Sequence, residues 1–402
     1  MKLVFANNFY YMRGGSERVF FDEIALLEKD GHKVAPFTMH FEKNFPSPFS
    51  RFFAPELRYE GVGLAKKASA SAKLVYSNDA RKSFSGLLDA FKPDIVHGHN
   101  IYGRLTTAII DEAKARRVPF VMTLHDYKLI CPSYLMIRND TVCARCAGGA
   151  FYNCLLSRCH KGSLVSSLVY TVESYFAAAF KKYDWVSRFI SPSLFLLKKH
   201  LEAGFPEKKL VHIPNFIKVN EFEPVFSNKG YILYVGRLSK EKGVVTMLKA
   251  VKGLDVKLKI VGDGPMRKEY EAFAKENGIT NATFEGYKTG DGLKEMFKGA
   301  AFVVFPSEWH ENAPMSILES FAFGKPVIAS TVGGVPEMVI DGTTGLLYPM
   351  GDHAALRERI KYLSLHPSKA VEFGRAARSK VERENNAERH MGMLKCVHEG
   401  TA

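Results

Sequence analysis

Long apolar runs are missing from this 402-residue chain: no stretch of 18 apolar residues occurs, so no membrane-spanning helix is expected. Residues 1–8, MKLVFANN, are too short for a secretion signal, and the expected location is cytoplasmic, with any membrane contact peripheral and on the inner face. Acidic residues are in deficit, 42 against 56 Lys and Arg, which leaves a formal charge of +14 and favours anionic partners. Sustained Arg/Lys blocks and nucleic-acid modules are also absent. That turns the charge away from nucleic acid and toward phosphorylated small molecules or an anionic membrane. The dinucleotide fingerprint G-x-G-x-x-G does not occur.

What is present suffices for two cores. At 402 residues and 46% hydrophobic, with 30 Phe and 17 Tyr, the chain is longer than one core usually supports, and two domains of about 200 residues are expected. The most informative stretch is Phe302–Glu337. A buried strand, Phe302–Phe305, stops at Pro306, and the polar Glu308, His310, Glu311 and Asn312 follow. After Ala313 and Pro314, Met315–Phe323 has helical spacing, Val327–Ala329 is a second strand, and Gly333 and Gly334 come directly after it. Two strand ends and a helix start on one sheet edge make a ligand site of an open α/β sheet.

The same strand-to-helix order runs through the chain and predicts an α/β fold with two doubly wound, mostly parallel sheets. In the first half, strand Leu3–Ala6 leads into Gly14 and Gly15, helix Glu17–Lys29 and strand Lys33–Phe37. A helix N-terminus there offers backbone donors to an oxyanion, although the glycines also suit an ordinary tight turn. Strand Pro93–His97, with His99 and Asn100 beyond it, precedes helix Thr106–Arg117 and strand Pro119–Leu124, which ends at His125, Asp126 and Tyr127. Phe45–Phe53 reads as a surface loop, and Gly61–Lys92 as helices with Lys66, Lys67, Lys73, Arg81 and Lys82 on one side. That side is either a solvated face or a dock for anionic lipid or a phosphorylated acceptor. Further on come a long helical stretch Ser163–Trp185, strand Arg188–Ser191, helix Leu194–Glu202 and a linker from about 218 to 229.

In the second half, strand Tyr231–Val235 precedes Arg237 and Lys242, a fork and a point charge suited to two linked phosphates, or else simply solvated. Leu248–Gly253 continues a helix, and strand Val256–Val261 ends in Gly262, Asp263 and Gly264, where backbone can approach a ligand or merely turn. Helix Met266–Asn277 and strand Thr283–Glu285 lead to Tyr287 and Lys288. Helices Asp291–Lys298, Asp352–Leu363, His366–Glu384 and Arg389–Val397 complete the set, and Cys396 reads as a buried thiol.

Cys131, Cys143, Cys146, Cys154 and Cys159 fall in one short segment, with His160 beside the last. Cys143, Cys146, Cys154 and Cys159 supply four soft ligands for a structural zinc, while reduced core thiols or a redox-labile loop are the competing readings. A cytosolic location argues against disulfides.

The stretch 302–337 resembles the donor-binding motif of retaining GT-B glycosyltransferases of family GT4, the glycosyl transferases group 1. Glu311 and Glu319, with seven residues between them and Pro314 inside, match its paired glutamates, and GKPVIAS and GGVPE follow in order. The resemblance implies a GT-B architecture, two Rossmann-like domains with a cleft between them. The domains are 1–217 for the acceptor, with a cysteine-rich insertion at about 131–160, and 218–385 for the nucleotide sugar; residues 386–402 form a helix packing back on the first.

The resemblance also implies site residues. His125 holds the donor sugar, Arg237 and Lys242 bind the diphosphate, Glu311 meets the sugar and Glu319 the ribose. Gly14 and Gly15 face the transferred phosphate, and main chain around Tyr287 and Lys288 holds the base. Gly262, Gly264, Asn312, Ala313, Pro314 and Met315 join the donor side; His99, Asn100 and Tyr127 join the acceptor side. The donor would be a UDP- or GDP-sugar carrying a hexose or N-acetylhexosamine, and the acceptor a polysaccharide, lipopolysaccharide or lipid-linked hydroxyl. No Asp-x-Asp signature occurs, so no cofactor is implied for catalysis. A hydrolase reading of the two glutamates leaves Arg237 and Lys242 without a task. Two alternatives stay open: a sugar-nucleotide epimerase of similar architecture, and a non-catalytic nucleotide-sugar or lipid-binding module. A phosphorylase would need a Schiff-base lysine that no motif marks.

Overall fold

A computed structural model describes residues 1–57, 64–139 and 141–402; the side chains of 64–69 lie outside the described set, and with them the expectations for Lys66 and Lys67. The chain divides into two compact units, residues 1–213 with 391–402, and residues 214–390.

In the first unit, strands β1 (Lys2–Ala6), β2 (Lys33–Phe37), β3 (Ile95–Gly98) and β4 (Phe120–Thr123) are short apolar runs. A small antiparallel hairpin, β5 (Ile137–Arg138) with β6 (Thr141–Val142), interrupts the order before β7 (Val186–Ser191) and β8 (Leu210–His212). The main sheet runs β2-β1-β3-β4-β7-β8 with every pair parallel. Parallel strands are buried on both faces, which is why β1, β3 and β4 read as continuous apolar runs. Leu3, Phe5, Phe20, Ile24 and Leu27 share a core with Leu394 and Val397 from the C-terminal residues.

The second unit repeats the plan with β9 (Tyr231–Val235), β10 (Lys257–Val261), β11 (Ala282–Gly286), β12 (Ala300–Phe305), β13 (Val327–Ser330) and β14 (Gly345–Tyr348), ordered β11-β10-β9-β12-β13-β14 and again parallel. Strand order reverses at β1/β3 in one sheet and at β9/β12 in the other. Those switch points are where open α/β sheets part to admit a ligand.

Several expected boundaries move for backbone reasons. Thr106 and Arg117 both have left-handed backbone, φ 60° and 57°, so the helix between them is confined to Ala108–Ala115. The stretch from Ser163 is helical only over Leu164–Ala179. Lys181 turns left-handed at φ 48°, and the Lys182 N–H closes back on the Ala177 carbonyl. The segment expected as a linker is packed: Phe222 is buried against Phe323, Val225 N–H donates to Phe323 O, and Lys325 Nζ to Ser227 O at 2.8 Å. Cys396 is exposed, not buried.

Candidate active site

The end of β9 and the loop after β12 meet across the switch point of the second unit. Lys242 lies in the 3-10 turn Lys240–Lys242, and Glu311 in the loop between β12 and the helix Met315–Ala322. Their side chains form an ion pair of 2.6 Å between Lys242 Nζ and Glu311 Oε1. The Ser307 hydroxyl donates to the same oxygen, also at 2.6 Å, and Glu311 is only 5% exposed. The Lys242 ammonium also stands 5.2 Å from the Trp309 ring centroid. Arg237 is exposed just past β9. Two cations and a fixed carboxylate thus follow the ends of the neighbouring strands β9 and β12, a set whose chemistry suits anionic groups and hydroxyls.

Glycines permit the approach of the loops that carry these groups. A Cβ on Gly243, at φ 65°, would lie 1.8 Å from Pro306 O, and one on Gly333, at φ 53°, would lie 2.0 Å from Glu311 O. Gly334 N–H donates to Glu311 O at 2.8 Å, so the β13 loop fixes the Glu311 backbone. Gly262 and Gly264 are equally crowded, against Gly236 O at 1.9 Å and Leu238 O at 2.3 Å. Their demand for glycine therefore comes from packing of the β9 and β10 loops, whatever they add toward a ligand.

The other expected donor-side residues fall around this pair. Asn312, Ala313 and Pro314 are half-buried, with Ala313 O held by the Asn215 side chain at 2.9 Å. Met315 opens the helix on which Glu319 lies half-buried. Tyr287 is 72% exposed beyond β11, with Lys288 half-buried beside it. Sequence reasoning missed Ser307. A single serine after a strand carries no pattern, and only its approach to Glu311 gives it a role.

In the first unit, Gly14 caps the helix Gly15–Lys29 with extended backbone, and a Cβ there would meet only Glu17 Oε2 at 3.9 Å. Neither strain nor crowding requires glycine, and both Gly14 and Gly15 are exposed. Glu17, also unforeseen, is buried one turn in, and burial raises its pKa.

His125 is half-buried beyond β4, with its Nε2 2.8 Å from His99 Nδ1. Desolvation first, and His99 second, pull its pKa down to about 3, so the imidazole is neutral at physiological pH. Asn100 is half-buried, and its backbone N–H donates to the Asn7 side-chain oxygen at 3.1 Å. The side chains of His99 and Tyr127, expected on the acceptor side, are fully buried.

Cys131, Cys143, Cys146, Cys154 and Cys159 are all free thiols and line one cavity of about 10 Å³, so Cys131 joins the four expected from spacing. Burial pushes the Cys146 thiol up to about 12. Within the described residues, the group of three metal-type ligand atoms lying within 4.8 Å of one another is a different one, the buried Glu23, His97 and His99.

Two family models match the chain. The Glycosyltransferase Family 4 model matches residues 13–221, and the Glycosyl transferases group 1 model matches 217–380. The chain belongs to glycosyltransferase family 4. Among its relatives, D-rhamnosyltransferase WbpZ of Pseudomonas aeruginosa is 35% identical over 152 residues, 37% of this chain and 40% of that one. Lipopolysaccharide 1,2-N-acetylglucosaminetransferase of Salmonella typhimurium is 28% identical over 243 residues, covering 52% and 62%. The chain therefore spans less than two thirds of the length of these curated relatives. Among solved structures, Anabaena HepE in complex with UDP-glucose superposes with a TM-score of 0.68 at 17% identity over 99% of this family 4 chain and 100% of its own, a likeness of fold.

Proposed function

We propose that this family 4 chain transfers a hexose or N-acetylhexosamine, with retention of configuration, from a nucleoside diphosphate sugar to a hydroxyl of a polysaccharide, lipopolysaccharide or lipid-linked acceptor. The observation that carries the reading is the Lys242–Glu311 pair beside Arg237 at the switch point of the second sheet. The bond from the anomeric carbon to the diphosphate oxygen breaks, the acceptor oxygen bonds to that carbon, and its proton passes to the leaving diphosphate. Arg237 and Lys242 stabilise the charge that grows on the diphosphate. Glu311 holds the sugar and Glu319 the ribose, with main chain at Gly262, Gly264, Tyr287 and Asn312–Met315 around the nucleotide. From the first unit, neutral His125 hydrogen-bonds the donor sugar and Gly14 and Gly15 offer backbone donors to phosphate, with Asn100 on the acceptor side.

UDP-glucose in the HepE complex and lipopolysaccharide in the Salmonella relative's name support the donor and acceptor classes. Incubation with labelled UDP- and GDP-sugars tests the reading. Free nucleoside diphosphate released only when an acceptor is added is the expected result. Release without acceptor, or binding without release, would instead favour a hydrolase or a non-catalytic module.

For location we propose the cytoplasm with peripheral attachment to an anionic membrane. Helix Leu164–Ala179 exposes Leu164, Val165, Leu168 and Val172, and Arg158, Lys161 and Lys181 are exposed near its ends. Of the basic residues first expected to dock there, Lys73 and Arg81 are paired with Asp79 and Glu112. No helix among the described residues is long and apolar enough to cross a membrane. Flotation with phosphatidylglycerol vesicles but not with neutral ones is expected.

The cysteine cavity is proposed to hold a structural zinc. The segment around it has little other core, Phe151 with Cys146 and Cys154, and it concentrates left-handed non-glycine residues at Tyr134, Met136, Asn139, Arg158 and Lys161. Zinc content falling by one equivalent in Cys143→Ser/Cys146→Ser is the expected outcome.

A further inference from the structure

We infer that Glu23, His97 and His99 form a second metal site, for a divalent cation of the zinc class, buried in the first unit and reached by His398. These residues come from the helix Gly15–Lys29, from β3 and the residue beyond it, and from the C-terminal helix Ala387–Glu399. All four side chains are essentially sealed from solvent.

The outward nitrogens of two imidazoles already have partners. His97 Nε2 is 2.8 Å from Thr123 Oγ1, and His99 Nδ1 is 2.8 Å from His125 Nε2. The other nitrogen of each turns inward toward one carboxylate oxygen: Glu23 Oε2 is 3.4 Å from His99 Nε2 and 3.9 Å from His97 Nδ1. His398 Nε2 is 3.2 Å from His97 Nδ1. His99 Nε2 has no hydrogen-bond partner among the described residues.

Separations of 3.4 and 3.9 Å are long for hydrogen bonds. They are close to the edge of a tetrahedron whose metal–ligand bonds are about 2.0–2.1 Å, an edge of about 3.3 Å. Ligating histidines characteristically engage a second partner through the opposite ring nitrogen, as both do here. Imidazole with one carboxylate suits zinc or a neighbouring transition ion better than calcium or magnesium.

The ion would clamp residues 391–402 onto β3. With metal on His99 Nε2, its proton sits on Nδ1 and is donated to His125 Nε2, so the site also fixes the ring behind the proposed sugar contact. Only this last consequence rests on the function proposed above.

The test is zinc-edge anomalous diffraction from crystals of the full chain purified without chelator, with metal content measured in the same preparation. An anomalous peak between Glu23 Oε2, His97 Nδ1 and His99 Nε2 is expected, separate from any peak at the cysteine cavity. Zinc-loaded crystals without a peak there would overturn the proposal. In solution, Glu23→Gln, which keeps shape and one acceptor oxygen, should lose one equivalent of zinc and lower the unfolding midpoint; unchanged zinc content in folded Glu23→Gln would equally overturn it. Neither readout depends on transferase activity.

Discussion

The two sheets share a parallel build and differ in where they put charge. The first unit hides it: Glu23 lies under the strand ends with His97 and His99, and Lys128 pairs with Glu173 where both side chains are almost fully buried. The second displays it at the switch point, with Arg237 exposed and Lys242 half-buried on Glu311. Buried charge has to be satisfied by its own fold, whereas charge at a rim is available to a ligand. Charge in the first unit should therefore matter for stability, and charge in the second for turnover.

Breaking the Lys128–Glu173 pair is the severest test of that division. Glu173→Ala leaves an ammonium in a pocket wall beside Phe151 and Ala177, and about 3–5 kcal/mol of unfolding free energy should be lost. Denaturant titration measures it, and a loss below about 1 kcal/mol would place this pair among surface bridges. Arg237→Ala should do the reverse. Acceptor-dependent turnover is expected to fall about 10²–10³-fold, as when one transition-state donor is removed, with stability changed by no more than about 0.5 kcal/mol. Unchanged turnover would remove Arg237 from the site.

A sharper version compares two glycines within the second unit. Gly333 and Gly342 both have positive φ, 53° and 70°, but a Cβ on Gly342 meets nothing within 4 Å while one on Gly333 strikes the Glu311 carbonyl. Gly342→Ala should cost about 1 kcal/mol from backbone strain alone. Gly333→Ala should cost up to about 3 kcal/mol and also depress turnover, because relief of the clash displaces Glu311. Equal effects on turnover would mean that the β13 loop does not position the carboxylate.

How much of this could be read in advance follows the same division. Strands β1, β4, β9 and β12 were legible as apolar runs, whereas Arg237, Lys242, Glu311 and the glycines entered the expected site through resemblance to a family motif, since alone they also read as solvated charges and ordinary turns. The hairpin β5–β6 was not, since two-residue strands carry no period. Nor was the imidazole cluster, whose His97 and His398 stand 301 positions apart and meet only in the fold. His99 and Tyr127 lie near strand ends in the sequence, and it is the fold that buries both side chains.

The smallest expected effect concerns the C-terminal helix of the first unit. Leu394, Val397 and His398 turn inward at helical spacing, and Cys396 falls between them in sequence but on the outward side. Reading cysteine as an apolar residue predicted burial, because free cysteine usually is buried; the helical phase set by its neighbours decides otherwise. Cys396→Ser should therefore leave unfolding free energy within about 0.5 kcal/mol and abolish the fastest phase of thiol labelling in the native protein. Cys146 and Cys154, buried around the cavity, should label only on unfolding. A Cys396 that resisted labelling would mean that the helix is rotated from this phase, and with it His398 would leave His97.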